Sequence, residues 1–280
     1  MKLVVEKDGE LLDYLYDHVD MPKKRIKQYL THGSIYVNNN KTTKYNYKLV
    51  AGMNIVINTS NNTKSLPFNI LFEDDHIIVV NKPSGLLTIA TTKERENTLY
   101  HIVREYLVSN NKNARVFIVH RLDKDTSGIV VFAKDEKTKN KLQENWNEYV
   151  SLREYVAVVH GKLKKDSDRI VQYLKETKTN LVYIAHDKDG KEAITNYNVV
   201  KENDKYSLLS INLETGRKNQ IRVALASLNN PILGDKKYGK KDEFNRLYLH
   251  ANRLKLYYPE IGKEILFETE IPNEFKKVMK

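Results

Sequence analysis

The apolar positions fall into two rhythms along the chain. In the first part they recur at helical spacing: Leu11, Leu12, Leu15 and Val19 share one helical face. Asp20 is placed to cap a second helix with Pro22 near its first turn, Ile26, Tyr29 and Leu30 give that helix an apolar stripe, and Gly33 is placed to end it. Short strands are predicted over 34–37 and 53–57, with turns at Asn38-Asn39-Asn40-Lys41 and Ala51-Gly52. Beyond residue 68 the rhythm changes to short runs of Val, Ile, Leu and Phe. Strands are predicted at 77–80, 116–119, 129–133, 153–159, 182–185, 193–199, 208–213, 247–250 and 253–258. Helical spacing returns at 98–107, at 137–149 with Leu142 and Trp146 on one face, and from within 215–222 through residue 228. Many hairpin-like strands with scattered helices predict an α+β domain on a mostly antiparallel, mixed sheet.

A stretch rich in Asn, Thr and Ser separates the two rhythms and reads as a linker. The expected organisation is a small module over 1–59, a linker over 60–67 and a larger domain over 68–280. The second helix of the small module carries Lys23, Lys24, Arg25 and Lys27 around its apolar stripe. Two short helices and a small β-unit with a basic helix face suit a phosphate-binding module, and Lys24, Arg25 and Lys27 are its candidate RNA contacts.

Charge strengthens that picture. The 47 basic and 36 acidic side chains leave a net charge of +11, which favours a polyanionic partner, nucleic acid first and anionic membrane second. The 18 tyrosines against 7 phenylalanines suggest aromatic surface that also meets polar partners. The chain has no cysteine, which excludes disulfides, thiolate metal sites and a cysteine nucleophile. Residues 1–13 are charged throughout, and no apolar run approaches the ~20 residues that span a bilayer. A cytoplasmic protein with no membrane partner is expected.

The densest chemistry is His120-Arg121-Leu122-Asp123-Lys124-Asp125-Thr126-Ser127-Gly128, set between two apolar runs. Rigid strands that present a polar loop are a common way to place catalytic groups. The plain alternative is a charged surface turn whose aspartates bond their own backbone. Other segments weigh against it: the turn Lys82-Pro83-Ser84-Gly85, the strand Arg153-Glu154-Tyr155-Val156-Ala157, the segment Thr215-Gly216-Arg217-Lys218-Asn219-Gln220-Ile221-Arg222, and Gly234-Asp235 with Tyr238-Gly239.

Together these segments resemble the RluA-type family of pseudouridine synthases, over roughly residues 70–272. The small module, with Lys24-Arg25, Thr31-His32-Gly33-Ser34-Ile35-Tyr36-Val37-Asn38 and Ala51-Gly52, resembles the RNA-binding domain named after ribosomal protein S-four. The family resemblance implies isomerisation of uridine in RNA: the bond from N1 to the ribose is cut, the uracil turns, and C5 is joined to the ribose. It makes Asp123 the catalytic carboxylate, Arg222 the arginine that pairs with it, and Tyr155 a catalytic aromatic placed against the target base, its phenol a stacking face and a potential proton acceptor. Ile221 adds an apolar wall, and Arg121 helps displace the target nucleotide. The reaction involves no redox change or group transfer, so no cofactor and no metal are expected, in keeping with the absence of a Gly-rich phosphate loop. The expected partner is RNA, ribosomal ahead of transfer RNA, and the expected state is a monomer. The chain departs from the family pattern at Arg153, where lysine is frequent, at Lys218 and Asn219, where a small hydroxyl residue and histidine are common, and at Ala224, where histidine is frequent. His120 reads as structural, since the reaction requires no imidazole.

Two other readings compete. The pair Asp123 and Asp125 after an apolar strand imitates a haloacid-dehalogenase-type phosphatase, but that scheme wants Mg²⁺ and a parallel sheet with crossover helices, against the hairpin-like pattern here. A non-catalytic RNA-binding or ribosome-assembly protein would use the basic charge equally well; the presence of Asp123, Arg222 and Tyr155 together argues against it.

Overall fold

The structure, a computed structural model, describes the 280 residues except His32, Asn39, 58–65, Lys93, Asp187 and Lys188, and except the side chains of Lys24, Arg25 and Gln28. The chain separates into two units, Met1–Leu66 and Pro67–Lys280. Most of the expected linker lies outside the described residues.

The first unit runs β1 (Lys2–Val4), β2 (Gly9–Glu10), α1 (Leu11–His18), α2 (Lys23–Thr31), β3 (Ile35–Val37), β4 (Asn40–Thr42), β5 (Lys48–Leu49) and β6 (Asn54–Ile57). Its four-stranded sheet has the order β1-β6-β3-β4 with antiparallel pairings, and β2 pairs with β5. Leu11, Leu15, Val19, Ile26 and Leu30 bury their side chains against Ile35, Val37, Ile55 and Ile57. The buried face of α1 takes Tyr14 rather than Leu12, which is only partly buried. The Tyr14 hydroxyl explains the choice, because it accepts from the Glu6 N–H and donates to the Val4 carbonyl, each at 3.1 Å.

The second unit runs β7 (Asn69–Glu73), β8 (Ile77–Lys82), α3 (Leu99–Asn110), β9 (Phe117–Ile118), β10 (Ser127–Ala133), α4 (Glu136–Glu144), α5 (Trp146–Tyr149), β11 (Val150–His160), β12 (Ser167–Glu176), β13 (Val182–Ile184), β14 (Lys191–Glu202), β15 (Tyr206–Leu213), α6 (Gln220–Ser227), β16 (Leu249–Tyr258), β17 (Lys263–Glu268) and α7 (Asn273–Val278). Its eleven-stranded sheet has the order β13-β12-β14-β15-β11-β16-β10-β8-β7, with β17 beside β16 and β9 beside β10. Among the described residues β10 and β16 make its one parallel pairing; the others are antiparallel. The sheet is therefore mixed and mostly antiparallel, as the pattern predicts.

Every residue of β10 is buried, which is why its sequence is unbroken by charge. Gly128 near its start lies between Lys82 of β8 and Ala251 of β16. Its φ is +120°, and a Cβ there would overlap the Ala251 backbone. The close approach fixes the end of the central strand and the loop that leads into it.

The predicted helix over 137–149 breaks in two. Asn145 leaves helical geometry at φ −107°, ψ 22°, and both its N–H (3.3 Å) and its side-chain amide (3.0 Å) donate to the Lys141 carbonyl, closing the first helix there. The two strands predicted over 247–258 are one, β16. β12, β17 and α7 carry no clear signal in the sequence; β12 alternates between exposed and half-buried positions and leaves Val171 exposed. No helix among the described residues is long and apolar enough to cross a membrane.

Candidate active site

The loop over 120–126 joins β9 to β10 and is tied from one side by the 82–88 turn. Lys82 is fully buried, and its ammonium donates to the carbonyls of Pro83 (3.0 Å), Leu86 (2.7 Å) and Lys124 (2.9 Å). The Gly85 N–H also donates to the Lys124 carbonyl at 3.0 Å, and the Ser84 hydroxyl to the Asp125 carbonyl at 2.6 Å. The Thr88 hydroxyl donates to the Leu122 carbonyl at 2.7 Å and accepts its N–H at 3.3 Å. These bonds satisfy the loop backbone from outside, so the Asp123 side chain is left half-buried and not folded onto its own turn. Burial pulls the Lys82 ammonium down to about 7, against the opposing pull of the Asp125 and Asp123 charges.

His120 at the head of the loop is structural. Its Nε2 accepts from the Val131 N–H at 3.0 Å and its ring packs on Trp146 at 4.7 Å. Burial, with the Arg153 guanidinium adding to it, takes its pKa down to about 3, so the imidazole is neutral.

Tyr155 is set by β11. The register against β16 slips between Glu154 and Tyr155, so that Glu154 faces Arg253 while Tyr155 faces Ala251. A bulge of this kind re-aims the side chain that follows it. Burial pushes the Tyr155 phenol up to about 12; Arg153 opposes the shift and the Asp123 carboxylate adds to it. The phenol is thus protonated near neutral pH, a donor and a stacking face.

The segment over 215–222 is folded around Gln220. The Gln220 side-chain oxygen accepts from the Thr215 hydroxyl (2.8 Å) and the Arg217 N–H (2.9 Å), and its nitrogen donates to the Ile194 carbonyl and the Thr195 hydroxyl, each at 3.0 Å. Lys218 turns outward to Glu176 and Asn180. α6 then begins, with Ile221 and Arg222 buried.

The resemblance implies that Arg222 pairs with Asp123; in the structure it pairs with Asp235 instead. Its Nε and Nη2 give a two-pronged contact to Asp235, at 2.8 and 2.6 Å. Asp235 is itself 1% exposed and accepts the backbone N–H groups of Lys237 (2.9 Å) and Tyr238 (3.0 Å). Burial pulls the guanidinium down, but the Asp235 bonds and charge, with the Asp123 and Asp125 charges beyond, hold it above the usual arginine value. Burial likewise pushes the Asp235 carboxyl up, and Arg222 with the two N–H groups holds it below its usual value. The group that touches Asp123 is the Asn219 amide, whose nitrogen donates to Asp123 Oδ2 at 2.7 Å. Its oxygen faces Lys237 Nζ at 3.3 Å and the Tyr238 hydroxyl at 3.0 Å; a carboxylate only accepts and an ammonium only donates, which fixes this orientation.

One cleft of about 420 Å³ gathers these groups: Asp123, Tyr155, Ile221, Arg222 and Asn219 line it, with Arg121 exposed at its edge. Its size suits a small organic group the scale of a nucleoside. A second cleft, of about 390 Å³ beside Glu73 and Lys134, contains none of them. On the first unit, Lys27 is exposed on α2; the side chains of Lys24 and Arg25 lie outside the described residues. Asn219 and Asp235 are the site residues that pattern reading left without a role. Asn219 carried a signal, as a departure from the family pattern; Asp235 carried none beyond its place after Gly234, whose φ of +70° and close approach to the Arg246 carbonyl are visible only in the fold.

The chain is similar to known proteins over most of its length. The profile of the RNA pseudouridylate synthase family matches residues 76–227. An uncharacterized RNA pseudouridine synthase of Aquifex aeolicus is 33% identical over 99% of this chain and 95% of its own. Ribosomal large subunit pseudouridine synthase C of Buchnera aphidicola is 35% identical over 93% of this chain and 89% of its own. Among solved structures, human RNA pseudouridylate synthase domain containing 4 shares the fold with a TM-score of 0.64 at 24% identity, over 76% of this chain and 92% of its own. The matched segment contains the loop, the Tyr155 strand and the start of α6, and the chain therefore belongs to the RluA-type RNA pseudouridine synthases, isomerases that act on RNA.

Proposed function

We propose that this enzyme isomerises specific uridines in structured ribosomal RNA, with Asp123 as its catalytic carboxylate. The observation that carries the reading is the cleft itself: a half-buried carboxylate, a protonated tyrosine, an apolar wall and a buried arginine meet in one nucleoside-sized space. The target base reaches that space only out of its stack, at a cost of a few kcal/mol. Arg121 at the edge of the cleft takes the vacated place, and Tyr155 stacks on the extruded base, worth about 1–3 kcal/mol. Ile221 closes the apolar side, and Arg222 supplies fixed positive charge. The N1–ribose bond breaks, the uracil turns and C5 joins the ribose; the C5 hydrogen leaves as a proton to solvent and N1, freed of the ribose, takes one up. Product and substrate are isomers with no net change of oxidation state, so the step calls for neither cofactor nor metal.

The first unit serves as the RNA-binding module in this reading, resembling the domain named after ribosomal protein S-four, with Lys24, Arg25 and Lys27 on phosphates. The enzyme works as a cytoplasmic monomer. Ribosomal RNA is preferred to transfer RNA because relatives across nearly the whole chain carry ribosomal large-subunit names. Tritium release from separate ribosomal and transfer RNA pools labelled at uridine C5 tests the choice. Release from the ribosomal pool supports it; release confined to the transfer RNA pool moves the target.

A further inference from the structure

We propose that Asn219 is a positioning residue that holds the Asp123 carboxylate in its working orientation. The inference rests on the reading of Asp123 given above. Asn219 precedes α6 with φ 54° and ψ 19°, a left-handed conformation, and its side chain caps none of the backbone N–H groups of that helix. Thr98 and Asp135, at the corresponding places before α3 and α4, have extended backbones and cap the helices they precede. Asn219 is 7% exposed, and its amide is turned away from α6 toward Asp123. The helix start gains nothing from this side chain; the carboxylate does.

The amide is in turn fixed from behind. The Tyr238 hydroxyl accepts the Val182 N–H at 3.0 Å, which leaves its own proton for the Asn219 oxygen, also at 3.0 Å. Lys237, whose ammonium donates to the Asn180 carbonyl at 2.7 Å, supplies a second donor to that oxygen. The Tyr238 N–H bonds Asp235, the residue that grips Arg222. Asp123 and Arg222 are thus placed by one short loop, over 234–239, through different atoms. The charged and titratable groups around Asp123 are Arg222 on α6, Lys82 at the end of β8, Asp125 on the loop and Tyr155 on β11, with Lys237 and Asp235 behind the amide and the guanidinium.

The test compares wild type, Asn219→Asp, Asn219→Gly and Asp123→Asn in tritium release from C5-labelled RNA, as full pH profiles. Asn219→Asp keeps the shape and sets a second carboxylate against Asp123, so the acid limb of kcat/KM moves up by about one pH unit or more. Asn219→Gly suits the left-handed backbone and removes the amide; kcat falls about tenfold or more while KM stays within about twofold. RNA affinity and melting temperature check that each variant is folded, and if Asn219→Gly unfolds, the Asn219→Asp profile decides. Wild-type kcat and acid limb in the folded variants, with Asp123→Asn inactive, would overturn the positioning role alone. Turnover by Asp123→Asn would overturn it together with the reading of Asp123.

Discussion

Lys82 and Lys124 meet at the base of the loop over 120–126, the buried ammonium of one donating to the carbonyl of the other at 2.9 Å. With two further carbonyls on the same nitrogen, Lys82 ties the 82–88 turn to the strand it leaves and to the loop that carries Asp123.

Stability should rise with pH because of this residue. Burial lowers the Lys82 pKa from the usual lysine value to about 7 in the folded chain. Between about pH 7 and the ordinary lysine range the unfolded chain binds the extra proton, so folding becomes more favourable as pH rises through that window and loses the contribution as pH falls through 7. Urea unfolding of wild type and Lys82→Met at pH 6.5, 8 and 9.5 measures it. The stability gap between the two proteins is expected to widen with pH, by a few kcal/mol at most; a gap that stays constant would contradict the buried-lysine assignment.

Arg222 and Asp235 should behave as one unit. Asp235→Ala leaves a buried guanidinium without its carboxylate, a loss of about 3–5 kcal/mol in unfolding free energy. Arg222→Lys should not rescue stability, because a single ammonium cannot reproduce the two-pronged geometry. A double-mutant cycle in urea is the measurement, and additive single-variant effects would show that the pair is uncoupled.

Gly128→Ala should be severe although it adds one methyl group. The backbone is at φ +120° and the added carbon meets the Ala251 backbone of the paired strand. A loss of about 2–5 kcal/mol is expected from combined strain and overlap, read as a lowered melting temperature with turnover falling alongside it.

Tyr155 should act through its ring. Because the phenol stays protonated up to about pH 12, Tyr155→Phe should keep kcat/KM within about tenfold and leave no alkaline limb to explain below pH 11. Tyr155→Ala, which removes the stacking face, should lose roughly ten- to a hundredfold. A Phe variant as slow as the Ala variant would assign the work to the hydroxyl.

How far these relations could be read in advance differs by residue. The loop over 120–128 was legible because a dense polar cluster sits between apolar runs, and the buried strand Ser127–Ala133 bears out that pattern. His120 was legible as structural from chemistry alone, and its neutral, packed ring agrees. The partner of Arg222 was not. Asp235 lies thirteen positions downstream and reaches the guanidinium only because the chain folds back after Gly234, a geometry that no local pattern encodes. The break at Asn145 was hidden for the opposite reason. The apolar spacing continues through it, and the turn of the Asn145 backbone out of helical geometry, capped onto the Lys141 carbonyl, outweighs the periodicity. β12 was missed because its faces are half-wet and its pattern is diluted by charge.

The central claim is that Asp123 carries the chemistry in a cleft assembled around it. Its most direct test is tritium release from RNA labelled at uridine C5, by wild type and Asp123→Asn, with RNA affinity measured in parallel. C5 loses its hydrogen only when it becomes the new point of attachment to the ribose. The account predicts release by wild type, none by Asp123→Asn, and nearly equal binding by both. Normal release by the Asn variant would contradict it.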